Sequence, residues 1–381
     1  MQTYKVSKRQ IIIYESSSFG GCYNYSLELY KAYNQFFEGC SAKLILPANA
    51  TFDSQNVFKI LLSDNSKGEK SHFLYRHFRN PFILFSFLRK QAPSFVILND
   101  FEQLSAPIWT PFYRIFLRKH TFGVFLHDAD RDDYPPSLAV SAFCMKQIMK
   151  TVSVALFHGT LPERSYYKPR KGLTFLSVRH GPYYLPAPDG NLFQELKEKT
   201  SGFSKVLSIP GNIRTEKNYQ LVIEALRFFP DYCLLIAGNP ANSGVDTNYY
   251  KSLSRDTGVE KQIIWIEKYL SDEELAAVIS ISEVIVLYYA ASFHSQSGIL
   301  HQVIPMKKPV LVSELPNALT EIVNEYGLGY ICKPDNLNAL KDGLSSISLN
   351  PVNPDWEKCM REMGWGRQVE ETLKYLQNVQ K

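Results

Sequence analysis

The sequence predicts an α/β protein built from two Rossmann-like halves. Short apolar runs alternate with longer segments of helical spacing, the pattern of parallel sheets whose crossovers are helices. That alternation breaks once, at the Pro- and Gly-rich stretch HGPYYLPAPDG (residues 180–190), and then restarts. The 381 residues also exceed the usual size of a single core, which favours two domains.

In the first half the strand-like runs are 11–14, 42–46, 95–99, 121–126 and 152–157. Helical segments fall between them at 26–37, 81–91, 107–119 and 136–150. A looser patch at 161–171 precedes a strand at 173–178, and the hinge follows. The second half opens with a strand at 205–209 and a helix near 218–228. A strand at 233–237 and a helix near 245–255 come next. Strands at 263–266, 284–289, 310–313 and 329–332 each lead into a helical segment, and 355–380 reads as one or two helices. The expected domains are 1–182 and 183–365. Open α/β sheets bind ligands at the carboxyl ends of their strands, so two such halves are expected to face a shared cleft.

The bulk composition narrows the function classes. Hydrophobic residues at 45% and charged residues at 21% are ordinary for a folded chain and argue against extended disorder. The formal charge of +5 comes without a long basic run or a zinc-finger spacing, so nucleic acid is not an expected partner. Aromatics reach 13%, which fits core packing and contact with saccharide or membrane alike. The six cysteines are scattered with no C-x-x-C pair, so free thiols in a reducing compartment are expected. MQTYKVSKRQ runs into the first strand without a signal-type apolar segment, and no stretch is long enough to span a membrane. A cytoplasmic protein is expected.

Two stretches carry chemistry. In SEVIVLYYAASFHSQSGILHQVIPMKKPVLVSE (282–314), a buried strand runs into a polar loop, and Ser297-Gly298 opens an apolar helix. Free N–H groups and the positive helix end then point beyond the strand and favour a phosphate; a plain N-cap is the other reading of the same pair. KVLSIPGNIRTEKNYQLVIEAL (205–226) sets Gly211, Arg214 and Lys217 in a tight loop between a strand and an amphipathic helix. Two cations at a strand's carboxyl end suit a diphosphate, whose charge grows as a sugar–phosphate bond breaks. Taken alone, the loop reads as a solvated turn with surface cations.

Together these residues resemble the retaining, metal-independent GT-B glycosyltransferases of the group 1, family four-like type. The quoted matches are Gly211-Asn212-Ile213-Arg214-Thr215-Glu216-Lys217-Asn218, LLIAGNP (234–240), YLSDEEL (269–275), Lys307-Lys308-Pro309-Val310, Leu319-Thr320-Glu321-Ile322, and Trp365 with Tyr375 in the last helix. They cover 204–379 nearly throughout. The resemblance implies a GT-B fold whose final helix, 366–381, crosses back to the N-terminal domain. It implies Arg214 and Lys217 as catalytic cations and Gly211, Ser297 and Gly298 as donor-binding. The two glutamates that many relatives space as E-x7-E fall here on His294 and Gln302, so the chain resembles a Ser-Gly variant of that subgroup. Gly20 and Gly21 match a glycine pair near the donor phosphate or acceptor, and His127 matches a histidine near the reacting sugar. Asp128, His180 and Tyr183 are the acceptor-side candidates. No metal and no other cofactor is implied.

Phe73 to Lys90 and Phe112 to His120 interleave Arg and Lys with aromatics. Such helices lie on anionic membrane faces, or turn an apolar stripe inward with snorkelling cations. The function expected is transfer of a sugar from a nucleotide-diphosphate sugar to a saccharide or lipid-linked acceptor in surface polysaccharide biosynthesis. The alternatives are a catalytically degenerate subunit that binds a partner or glycan, and a sugar-nucleotide epimerase, for which the expected carboxylates are missing.

Overall fold

The structure, a computed structural model, describes residues 9–36, 40–64, 70–127, 137–242, 244–293 and 297–378. The chain divides into two compact units, Met1–His180 with Trp365–Lys381, and Gly181–Gly364. The sequence reading set these limits at 182 and 365.

The first unit runs β1 (Arg9–Tyr14), α1 (Gly21–Phe36), β2 (Cys40–Pro47), β3 (Val57–Leu61), α2 (Lys70–Arg89), β4 (Ser94–Leu98), α3 (Ala106–Phe116), β5 (Thr121–Leu126), α4 (Leu138–Thr151), β6 (Val154–Phe157) and β7 (Thr174–Ser177). Its strands form one parallel sheet in the order β3-β2-β1-β4-β5-β6-β7. Ile11, Ile12 and Ile13 are fully buried on both faces of β1, which is why that strand reads as an unbroken apolar run. β3 escaped the sequence reading because it lies at the sheet edge and is mostly only half-buried.

The structure corrects the start of α2. Pro81, read as a helix start, lies inside the helix. Proline strands the carbonyl four residues earlier, and here that carbonyl, on His77, is taken by the Ser105 hydroxyl at 2.5 Å. The Pro81 carbonyl in turn accepts from Tyr113 Oη at 2.7 Å. Helix α1 starts earlier than expected too, at Gly21.

The second unit runs α5 (Gly190–Thr200), β8 (Lys205–Pro210), α6 (Tyr219–Leu226), β9 (Tyr232–Ala237), α7 (Thr247–Asp256), β10 (Ile263–Ile266), α8 (Asp272–Ile281), β11 (Val284–Leu287), α9 (Gly298–Val303), β12 (Val310–Ser313), α10 (Ala318–Tyr326), β13 (Gly329–Cys332), α11 (Leu337–Leu349) and α12 (Trp356–Glu362). The parallel sheet has the order β10-β9-β8-β11-β12-β13. Helix α5 was hidden in the sequence by the Pro-Gly run before it; Asp189 caps it, accepting from Leu192 N at 2.7 Å. The YLSDEEL segment holds a full capping box at the start of α8, between Ser271 and Glu274.

The last helix, α13 (Trp365–Asn378), belongs to the first unit and packs on α1. Trp365 meets the Tyr25 ring edge-on at 5.0 Å, the Gln368 amide donates to the Tyr25 hydroxyl, and Tyr375 Oη donates to Ser153 O at 2.8 Å. In each sheet the strand order reverses beside the first strand, between β1 and β4 and between β8 and β11. Loops diverge at such a point and leave the strand ends open to a ligand.

Candidate active site

At the β8/β11 reversal, β8 is followed directly by Gly211 with φ +83°. A Cβ on Gly211 would stand 2.9 Å from Ile299 Cδ1, so the cation loop and the first turn of α9 touch. Gly238, from LLIAGNP, is as tightly placed: a Cβ there would stand 2.2 Å from Gly211 O. Ile213 N donates to Asn239 O and Ala241 N to Ile213 O, each at 2.9 Å, so the loops after β8 and β9 brace each other.

Lys217 lies beneath this loop, only 6% exposed. Its Nζ donates to Pro210 O at 2.7 Å and Gly211 O at 3.1 Å. Burial, and then the neighbouring Arg214 guanidinium, bring its pKa down to about 7. Arg214 is exposed on extended backbone, and among the described residues its guanidinium takes no hydrogen bond. One cation is therefore fixed and desolvated, and the other reaches outward.

Ser297 occupies the N-cap position of α9, yet its hydroxyl does not cap the helix; it pairs with Tyr289 Oη at 3.0 Å. Gly298 is the first helical residue, and Gln302 is half-buried one turn on. His294 lies outside the described residues. Two further contacts join the loops: Ala290 N donates to Glu216 O at 2.7 Å, and the Asp335 carboxylate accepts from Asn218 Nδ2 and Ala291 N, both at 2.9 Å. Asp335 went unnoticed in the sequence, where KPDN reads as a turn before α11.

The first unit places a polar array at its own reversal. Glu15 follows β1 and Asn99 follows β4, both fully buried. Asn99 Nδ2 donates to Glu15 Oε2 at 2.7 Å and to Cys22 O at 2.9 Å, and Asn99 Oδ1 lies 2.9 Å from His127 Nε2. Burial, reinforced by Asp100, holds the Glu15 carboxyl well above its ordinary range. Gly20, at φ +90°, and Gly21 open α1, and a Cβ on either would meet nothing within 4 Å. The His127 ring stacks on Phe125, 4.6 Å apart and inclined 13°, and meets Tyr25 edge-on at 4.5 Å.

His158 joins the same aromatic cluster. Its Nδ1 lies 2.7 Å from Val178 O, and burial pushes its pKa down to about 4. His180 sits 5.1 Å from the His158 ring and 4.9 Å from Tyr25. Asp128 lies outside the described residues. Tyr183 is half-buried in the second unit, its N–H bonded to His301 O at 2.8 Å. The structure thus gathers Gly211, Arg214, Lys217, Ser297 and Gly298 at one strand edge, and Gly20, Gly21, His127 and His180 at the other. Sequence reasoning missed Glu15 and Asn99, whose only signal is a polar residue directly after each apolar strand.

Residues 193–363 match the family model described as Glycosyl transferases group 1. No curated protein matches the chain in a sequence search. Among solved structures, the chain is similar to Anabaena HepE in complex with UDP and glucose, at 13% identity and TM-score 0.68, covering 96% of this chain and 100% of that one. It is similar to sucrose-phosphate synthase from Thermosynechococcus elongatus, at 13% identity and TM-score 0.65, covering 97% of each chain. A third likeness is to the catalytic domain of starch synthase IV from Arabidopsis thaliana bound to ADP and acarbose, at 11% identity and TM-score 0.67, covering 98% of each. The fold is GT-B, the second unit carries a group 1 glycosyltransferase domain, and the chain is an enzyme of the glycosyltransferase class.

Proposed function

We propose that the chain moves a sugar from a nucleoside-diphosphate sugar to a saccharide or lipid-linked acceptor, with retention of anomeric configuration and without a metal, in surface polysaccharide assembly. The observation that carries this reading is the fixed ammonium of Lys217 beside the outward Arg214, at the strand reversal of the group 1 domain. As the bond from the anomeric carbon to the phosphate oxygen breaks, its electron pair leaves with the diphosphate. Arg214 and Lys217 stabilise that growing charge, the task a metal ion performs elsewhere. The acceptor hydroxyl forms the new bond on the same face and gives its proton to a departing phosphate oxygen. Backbone N–H groups around Gly211 and Gly298 add donors to the phosphates, and Gln302 and His294 hydrogen-bond the sugar or ribose hydroxyls.

The acceptor falls to the first unit, with His127, His180 and the open backbone at Gly20-Gly21 nearest the reaction. Exposed Tyr75, Phe78, Phe112, Ile115 and Phe116 on α2 and α3, interspersed with exposed Arg79, Arg114, Arg118 and Lys119, fit contact with an anionic membrane face. No described helix is long and apolar enough to cross a membrane. A peripheral position on the cytoplasmic side accords with both.

Calorimetry with UDP, GDP, dTDP, ADP and CMP tests the donor site. One nucleoside diphosphate should bind selectively, and Arg214→Ala should lower turnover with its sugar by about 10²-fold or more while leaving the melting temperature unchanged. Unchanged turnover removes the leaving-group role. Binding of no nucleotide at all makes a degenerate, partner-binding subunit the better reading.

A further inference from the structure

Asn99 is fully buried, so each end of its amide must meet a complementary group. Its Nδ2 faces two acceptors, Glu15 Oε2 at 2.7 Å and Cys22 O at 2.9 Å. The Cys22 carbonyl accepts whatever the charge of Glu15, so it settles which end of the amide is nitrogen. Glu15 is itself held by Ser17 N, which donates to Oε1 at 2.9 Å. The other end of the amide, Oδ1, then faces His127 Nε2 at 2.9 Å. An amide oxygen only accepts, so His127 carries a proton on Nε2, and in the neutral ring the lone pair is on Nδ1.

We propose that Asn99, oriented by Glu15 and the Cys22 carbonyl, is a positioning residue that fixes the tautomer and ring plane of His127 for glycosyl transfer. Phe125 stacked on one face and Tyr25 set edge-on restrict the ring's tilt, while the bond to Asn99 restricts its rotation. This tautomer makes Nδ1 an acceptor, the polarity that suits a sugar hydroxyl rather than a phosphate oxygen. The role in transfer rests on the reading of His127 as a group near the reacting sugar. The tautomer itself does not.

The test is a two-bond nitrogen–proton correlation spectrum of the full chain labelled at its histidines, with His127 assigned by its loss in His127→Gln. The wild type should show a pyrrole-type Nε2 and a pyridine-type Nδ1. Asn99→Leu should mix or reverse that pattern and lower kcat by about 10- to 100-fold, with the donor KM unmoved. Asn99→Asp keeps an accepting oxygen opposite Nε2 but loses the donor to Glu15 and the Cys22 carbonyl, so it should keep the Nε2 proton and recover only part of the rate. A wild-type proton on Nδ1 overturns the assignment, and it is read even when Asn99→Leu fails to fold. An unaltered tautomer or an unaltered kcat in a folded Asn99→Leu overturns the positioning role. A wild type without transferase activity but with the assigned tautomer strikes the function proposed above and upholds the assignment.

Discussion

Binding of a nucleotide sugar should be accompanied by uptake of close to one proton at pH 8, and the proton should go to Lys217. Burial and Arg214 bring this lysine to about 7, so only about a tenth of free molecules carry the charge at pH 8. A diphosphate beside Nζ favours the ammonium and returns the group toward its ordinary range. The complex is then fully protonated at pH 8, while at pH 6 the free protein is nearly so already. The affinity should therefore weaken by about tenfold from pH 6 to pH 8. Calorimetry in two buffers of different ionisation enthalpy counts the protons. UDP-glucose, GDP-mannose and ADP-glucose are suitable probes, since their diphosphate diesters do not titrate in this range. Lys217→Met should abolish the uptake and flatten the pH dependence. Equal heats in both buffers, with intact binding, would show that no diphosphate reaches Nζ. The same group leaves a mark on stability. Its folded pKa is depressed, so the unfolded chain binds more protons between pH 7 and pH 10.5, and stability rises with pH across that window. The melting advantage of Lys217→Met over wild type should shrink from pH 6 to pH 9.

Two further outcomes are expected. Burial raises the Glu102 carboxyl from 4.5 to about 8, and Tyr14 Oη bonds it at 2.6 Å and 2.7 Å. A raised acid contributes stability that is lost as pH climbs from 4.5 to 8, on the order of 4 kcal/mol across the window. Glu102→Gln should thus gain on wild type in melting temperature from pH 5 to pH 8, and parallel melting curves would count against a protonated Glu102. On the α2–α3 face, Phe112 and Phe116 stack 6.3 Å apart and are both exposed. Phe112→Glu with Phe116→Glu should abolish co-sedimentation with phosphatidylglycerol vesicles and leave nucleotide affinity intact; wild-type protein that stays in the supernatant would end the membrane reading.

What the sequence disclosed follows from what each segment buries. β1, β5, β8 and β12 are covered on both faces, so their apolar runs were plain, whereas the edge strand β3 was not. The Ser297-Gly298 and Gly211–Lys217 motifs were legible because tight loops restrict residue types locally. Burial of Lys217 was not, since a lysine between Glu216 and Asn218 reads as surface until α9 is laid over Gly211. Glu15 and Asn99 stand 84 positions apart, and only the parallel pairing of β1 with β4 makes them one unit. A polar residue after a strand is too common to announce such a pair.

The two strand reversals share a geometry and differ in charge. Each desolvates an ionisable group just past a strand end, Lys217 in one unit and Glu15 in the other, and each group is driven toward neutrality. A diphosphate approaching Lys217 relieves that burden by supplying the countercharge, so the energy spent on burying the lysine returns when the donor binds. At the other reversal, Glu15 and Glu102 are buried carboxyls that each feel Asp100, and the nearby Arg76 already donates to Ser16 O at 2.7 Å. An anion gains little there, whereas a hydroxyl-rich acceptor finds carboxyl, amide and imidazole groups that bond it without a change of charge. This sorting supports the donor in the group 1 domain and the acceptor on the first unit. On the proposed reading, Lys217 sits under a glycine carbonyl because a desolvated amine changes its protonation when the phosphate arrives and when it leaves.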